Sequence, residues 1–176
     1  VSHPAPEMVG GSITDGNLAL SPDGRSIAYV ASASPERGSS TLPLYLRSLD
    51  ASEPRLLSRS ARAPFFSPDS QWVGFVEGNS RLSKVAVTGG PSVSIGNVDG
   101  GFRGGSWGPD DAIVFATNDV STGLSRISAA GGNVEVLTTP DPAKGEVDHV
   151  FPEVLPGGRA VLFTILTNQG ADKSQI

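Results

Sequence analysis

The sequence has no cysteine, an absence that removes disulfide bonds, thiolate nucleophiles and the usual structural zinc sites together and leaves the redox compartment open. Positive charge is also scarce: Lys and Arg number 13 against 18 Asp and Glu, and the formal net charge is −5. Surfaces that track phosphate concentrate cations to displace counterions, so nucleic acid is not an expected partner. No run approaches the roughly 18 apolar residues that span a bilayer, so direct membrane insertion is not expected. Residues 1–20 lack the charged-then-apolar order of a secretion signal, and any signal or anchor is expected outside this chain. The only histidines are His3 and His149, which argues against a multi-histidine metal site. The turns at Asp23, Asp69 and Asp110 lack the alternating ligand spacing of a calcium loop, and neither metal nor cofactor is expected.

What is abundant is punctuation. The 22 Gly and 14 Pro are too many for a helical protein and too evenly scattered for a disordered tail, so they read as turns between many short strands. With 38% hydrophobic and 18% charged residues, the composition is that of an ordinary globular chain with a sizeable core. Self-comparison sharpens this. The segments "LALSPDGRSIAYVAS", "PFFSPDSQWVGFVEG", "GSWGPDDAIVFATN" and "EVLPGGRAVLFTIL" align without gaps on Pro22, Pro68, Pro109 and Pro156. Their spacing of about 45 residues is that of four-stranded propeller blades. Each proline opens a Pro-Asp-Gly-like turn, and an apolar alternation follows, as in Ile27 and Tyr29, in Trp72, Gly74 and Val76, or in Ile113 and Phe115. Third strands read "LPLYLRSLD", "RLSKVAVTGG" and "GLSRISAAGG". The pairs Gly89-Gly90 and Gly131-Gly132 suit two-residue hairpin turns at positive φ. Fourth strands read "EPRLLSR", "PSVSIGN" and "NVEVLTT".

The expected fold is therefore all-β, one partial β-propeller domain over residues 1–176 with antiparallel blades at about 15–60, 61–98, 99–140 and, incomplete, 146–176. Three and a half to four blades leave an open edge of unpaired backbone groups. Three completions are open: a strand from "PEMVGGSI", a homodimer in which each copy is half of a ring, or a native chain that continues past Ile176, the last being favoured.

The stretches "LYLRSLD", "PFFSPDSQWVGFV", "KVAVTGGP", "GLSRISAAGG" with "VEVLTTPD", and "GEVDHVFPEVLPGGRAVLFT" resemble TolB-type propeller repeats, such as those that follow bacterial serine/threonine kinase domains. The resemblance covers nearly the whole chain. It implies a non-catalytic module for binding or sensing, with a protein, a peptide or a small anionic ligand as partner, in a periplasmic or otherwise extracytoplasmic location. The chain carries neither the kinase motifs nor a membrane helix.

Residues six and seven before each repeat proline fall on the innermost strand and are candidates for the channel mouth: Asp15, Gly16, Ala61, Arg62, Phe102, Arg103, His149 and Val150. Arg62 and Arg103 occupy equivalent positions and would bind a carboxylate or other anion, or else pair with acidic residues of adjacent blades. "GEVDHVFPE" gathers Glu146, Asp148, His149 and Glu153; these would hold an imidazole as a base or in a binding site, or else fix the loop between two blades. Trp72, Trp107, Phe65, Phe66, Phe75, Phe115 and Phe163 fall on first and second strands and read as core. The polar stretches "ASASPERGSSTLP" and "TNDVSTG" read as rim loops, where partner contacts concentrate.

One catalytic pattern is present. Gly104-Gly105-Ser106-Trp107-Gly108 matches Gly-x-Ser-x-Gly, with Asp148 and His149 downstream, so an esterase-type serine hydrolase using Ser106, His149 and Asp148 is the alternative to a binding module. That chemistry needs Ser106 on a strand-to-helix elbow, whereas the repeat puts it inside a strand, level with Ala19, Phe65 and Glu153. A third reading is a propeller fragment whose role is assembly.

Overall fold

The computed structural model describes residues 16–31, 42–51, 53–78 and 80–168. Asp15, "PEMVGGSI", most of the first rim loop and residues 169–176 lie outside the described residues. The all-β expectation holds: the described residues form antiparallel strands with a single short 3-10 turn, and none of their helices is long and apolar enough to cross a membrane. The strands are β1 (Leu18–Leu20), β2 (Ser26–Val30), β3 (Leu42–Ser48), β4 (Arg55–Phe66), β5 (Trp72–Glu77), β6 (Arg81–Ala86), β7 (Val93–Asn97), β8 (Phe102–Trp107), β9 (Ala112–Thr117), β10 (Leu124–Ser128), β11 (Glu135–Val136), β12 (Glu146–Val154) and β13 (Val161–Thr167). Strand order follows sequence order in each sheet, as hairpin-connected meanders require. The chain divides into two compact units, residues 1–79 with 83–93 and residues 80–82 with 94–176.

In the first unit, β1, β2, β3 and the first half of β4 form one blade, and the second half of β4 turns to pair with β5. The change of partner falls between Ala61, opposite Leu42, and Arg62, opposite Val76. The apolar faces of the two blades close on each other: Ala28, Val30, Leu44 and Leu46 pack with Phe66, Val73, Phe75 and Val85 in one buried cluster. Gly74 is obligatory there, since a Cβ at that position would run into the ring of Phe65 across the ladder. In the second unit, β8 to β11 form a four-stranded blade and β12 pairs with β13. Val114, Ala116 and Leu124 meet Val154, Val161 and Phe163 in the core between them.

The repeat turns share one geometry. In the first two, Ser21 and Ser67 donate their hydroxyls to Asp23 and Asp69 at 2.5 and 2.6 Å, and accept from the backbone of Ser26 and Trp72. Each aspartate also accepts a backbone N–H, from Arg25 and Gln71. The residue after the aspartate is left-handed in each of the first three turns: Gly24, Ser70 and Asp111, at φ 71, 61 and 59. Two expectations change. The gapless alignment fails by one residue after Pro109: the residue two before the proline pairs five after it in Leu20↔Ile27, Phe66↔Val73 and Val154↔Val161, but four after it in Trp107↔Ile113. Val73 and Phe75, rather than Trp72 and Gly74, are thus the counterparts of Ile27 and Tyr29. The glycine pairs do take positive φ, but they close the turns that begin at Ala86 and Ser128, inside the longer connections 87–92 and 129–134, and are not two-residue hairpins.

A second recurrence had no signature in composition. Five residues before Pro68, Pro109 and Pro156 stand Ala63, Gly104 and Phe151, at φ 49, 99 and 54, and at each the inner strand carries one residue more than its partner. These are β-bulges, which bend a strand and re-aim its side chains. Gly104 is the tightest: a Cβ would lie 3.0 Å from Cα of Phe151 on the adjacent inner strand. Gly104→Ala is expected to cost roughly 2 kcal/mol, from strain and crowding together, in urea unfolding. Ser67→Ala, which strips the second turn of a buried hydroxyl, is expected to cost about 1–2 kcal/mol in the same measurement.

Candidate functional site

The bulges sort the inner-strand residues by depth. Seven before the proline, Ala61, Phe102 and His149 are buried; six before it, Arg62 and Arg103 are half-buried and Val150 is fully buried. Arg62 belongs to the first unit and Arg103, with Glu146, Asp148 and His149, to the second.

His149 occupies the core position that Phe102 holds one blade earlier, with its ring tilted against Phe163 at 4.9 Å. Both ring nitrogens are engaged: Nδ1 lies 2.8 Å from Oγ1 of Thr138, and Nε2 lies 3.1 Å from Oε2 of Glu146. Thr138 already accepts the backbone N–H of Leu124 at 2.8 Å, so its own proton is available for Nδ1. With the Thr138 hydroxyl donating to Nδ1, it is Nε2 that donates to Glu146. The same Glu146 oxygen accepts the backbone N–H of Asp141 at 2.7 Å. That bond first, then the one from His149, holds the Glu146 carboxyl below the ordinary carboxylate value. Asp141 caps the 3-10 turn Pro142–Lys144, which leads into β12. The cluster thus ties the loop after β11 to the inner strand that follows.

Ser106 sits within β8, opposite Val114, and the chain continues through the Pro109 turn into a strand, not a helix. Its hydroxyl accepts the backbone N–H of Val154 at 3.0 Å. Among the described residues, no hydrogen bond joins Ser106 to His149, and no group of three or more His, Cys, Asp or Glu is placed to hold a metal ion.

Asp148 and Arg103 stand apart from this bonded set. Asp148 is buried at 4% exposure, and its one hydrogen bond among the described residues is from the backbone N–H of His149 at 2.8 Å. Burial raises its carboxyl above the ordinary value; the N–H bond and the positive charge of Arg103 oppose the rise, and Asp119 adds to it. Arg103 feels that carboxylate but, among the described residues, makes no ion pair or hydrogen bond with it or any other group. Phe151, three residues beyond Asp148, is an aromatic at φ 54 with 42% of its surface exposed.

No protein-family profile and no curated protein sequence matches the chain. Solved structures do. TolB from Acinetobacter baumannii superposes with a TM-score of 0.70 at 19% identity, over 89% of this chain and 39% of that one. The fold is that of TolB-type β-propellers. An oligogalacturonate lyase solved with manganese gives a TM-score of 0.64 at 16% identity, over 89% of this chain and 48% of that one. A chain of a nidogen/laminin complex gives 0.64 at 13%, over 86% and 55%. The chain spans about two-fifths of the length of TolB and about half of the others. A propeller shared by such different proteins carries architecture, and the site must be argued from its own residues.

Thr138, Phe163 and Gly104 were not legible as site residues. The only sequence signal for Thr138 is its distance from the histidine, and the bulge shows only where its residue happens to be glycine. Thr138→Val leaves the Leu124 N–H and His149 Nδ1 without partners and is expected to cost roughly 2 kcal/mol in denaturant unfolding. Because the folded carboxyl of Glu146 lies below 4.5, its contribution is present above that value and lost as pH falls through the folded one; Glu146→Gln is expected to flatten this acid limb of the stability curve. Asp148 has the opposite sign. Its protonated form stabilises fully below 3.8, and that gain disappears as pH rises through the higher folded value, so Asp148→Asn is expected to stabilise the protein at pH 7 and not at pH 3.

Proposed function

We propose that this chain is a non-catalytic binding module whose ligand-facing surface is the bulged inner strands β8 and β12 of the second unit. The observation that carries the reading is Arg103: a half-buried guanidinium directly before a left-handed glycine, with no ion pair or hydrogen bond among the described residues. A buried or half-buried charge is normally paired, and an unspent guanidinium fork is suited to a carboxylate or phosphate. The resemblance to TolB-type propellers agrees with a binding role. The esterase alternative keeps only its pentapeptide: Ser106 and His149 are bonded to other groups, and no helix N-terminus follows Ser106 to supply oxyanion donors.

The test is a thermal-shift screen of peptides and small organic acids against the wild-type protein and Arg103→Ala. A ligand at 100 times its Kd is expected to add about 2.7 kcal/mol of stability, a rise in Tm of several degrees, and Arg103→Ala is expected to abolish it. Hydrolysis of a short-chain p-nitrophenyl ester is expected to stay at background and to be indifferent to Ser106→Ala and His149→Ala. Turnover lost in both folded variants would reverse the assignment in favour of the hydrolase.

A further inference from the structure

The two faces of the first blade meet different surroundings. Ala28, Val30, Leu44 and Leu46 are buried against the second blade, and because side chains alternate along a strand their neighbours point the other way, onto a front face. There the register sets Leu18, Tyr29, Tyr45 and Leu56 in one row across four strands, with Leu20 and Ile27 beside it. The Tyr29 and Tyr45 rings stack at 5.8 Å, and Leu18, Leu20 and Leu56 are 47, 57 and 43% exposed. Apolar side chains exposed together on one sheet face mark a contact surface, as single scattered leucines do not. The repeat indicates what such a face packs on. Leu20, Ile27 and Tyr29 have counterparts in Phe66, Val73 and Phe75, and again in Val154, Val161 and Phe163. The first of these sets closes on Ala28, Val30, Leu44 and Leu46, and the second on Val114, Ala116 and Leu124. In both places the set meets the positions equivalent to 28 and 30 of another blade.

The β12–β13 hairpin carries the matching half. Its positions equivalent to Ala28 and Val30 are Leu162 and Thr164, on the face of β13 opposite to Val161 and Phe163, and Leu162 is 46% exposed. Charge is complementary as well. Arg47 stands opposite Ile27 on the front face of the first blade, and Glu153 stands opposite Leu162 on the outer face of the hairpin. Both are exposed, and neither side chain makes an ion pair or hydrogen bond among the described residues. Opposite charges on two such faces fix the orientation in which they dock. We propose that the front face of the first blade receives the outer face of the β12–β13 hairpin of a second copy of this chain, head to tail, with Leu162 against Leu20, Ile27 and Tyr29. One chain carries both halves of the contact, so the occupant is another copy of it. A contact that uses a different surface on each side either closes a ring or propagates. It does not depend on the binding role proposed above.

Sedimentation velocity of the whole chain across a dilution series is expected to show concentration-dependent association. Leu20→Asp and Leu162→Asp, each of which puts a charge into the apolar contact, are each expected to weaken it about a hundredfold. Leu49→Asp, at a leucine 55% exposed in the turn after β3, is expected to associate like wild type. An equimolar mixture of Leu20→Asp and Leu162→Asp is the deciding arm. The first variant keeps an intact hairpin face and the second an intact front face, so the mixture is expected to form a one-to-one complex that neither forms alone, and to stop there. Misfolded variants would not restore each other in this way, and circular dichroism verifies that each is folded. The inference is overturned if the wild type stays monomeric throughout the series, if Leu20→Asp and Leu162→Asp associate like wild type, if Leu49→Asp is weakened as much as they are, or if the mixture regains no complex. None of these outcomes involves Arg103, so the ligand screen decides the binding role separately.

Discussion

Three of the inner strands have to accommodate one residue more than the strand beside them offers, and they do so by placing a left-handed residue five positions before the turn proline. Much else follows from that step. Ahead of it, the side chains of Ala61, Phe102 and His149 go into the packed face. At it, Arg62 and Arg103 are left half-covered, and Phe151 is left exposed in a conformation it would not choose. After it, the register is restored in time for the residue two before the proline to lead into the hairpin. A strand without the extra residue would carry its later side chains to the opposite face, because strand side chains alternate with a period of two.

The turns were legible because their chemistry is local: proline fixes φ, aspartate accepts the hydroxyl and N–H groups within reach, and the next residue must tolerate αL. The blade repeat follows from four such turns at regular spacing. The bulge was hidden because an alanine, a glycine and a phenylalanine share the same backbone state, and no side-chain property unites them. The contraction after Pro109 was masked by Asp110-Asp111, which imitates the longer Asp-Gly pattern. Asp148 and Asp23 are the same letter, yet burial raises one while a serine hydroxyl and an N–H lower the other. Arg103 was readable as a candidate from its repeat position, whereas its lack of a bonded partner among the described residues is a property of the folded neighbourhood.

β12 combines two opposing tendencies within a few residues. Glu146, through Oε2, and His149, through both ring nitrogens, are hydrogen-bonded and join the strand to the preceding loop and to Phe163. Asp148 and Phe151, interleaved with them, carry a desolvated carboxyl and a strained backbone, both unfavourable in isolation. Strain of this kind persists only where surrounding contacts over-determine the backbone, and the histidine cluster provides that support. The same segment therefore contains both its anchorage and the groups it leaves desolvated or strained.

β4 runs unbroken from Arg55 to Phe66 while its hydrogen bonds pass from one blade to the next between Ala61 and Arg62. The outermost strand of the first blade and the innermost strand of the second are thus one piece of backbone, with no linker to cut. A protease or an engineered insertion seeking the junction would have to enter the middle of a paired strand. Removal of either blade would strip partners from the other, so the two are expected to unfold as a single cooperative body.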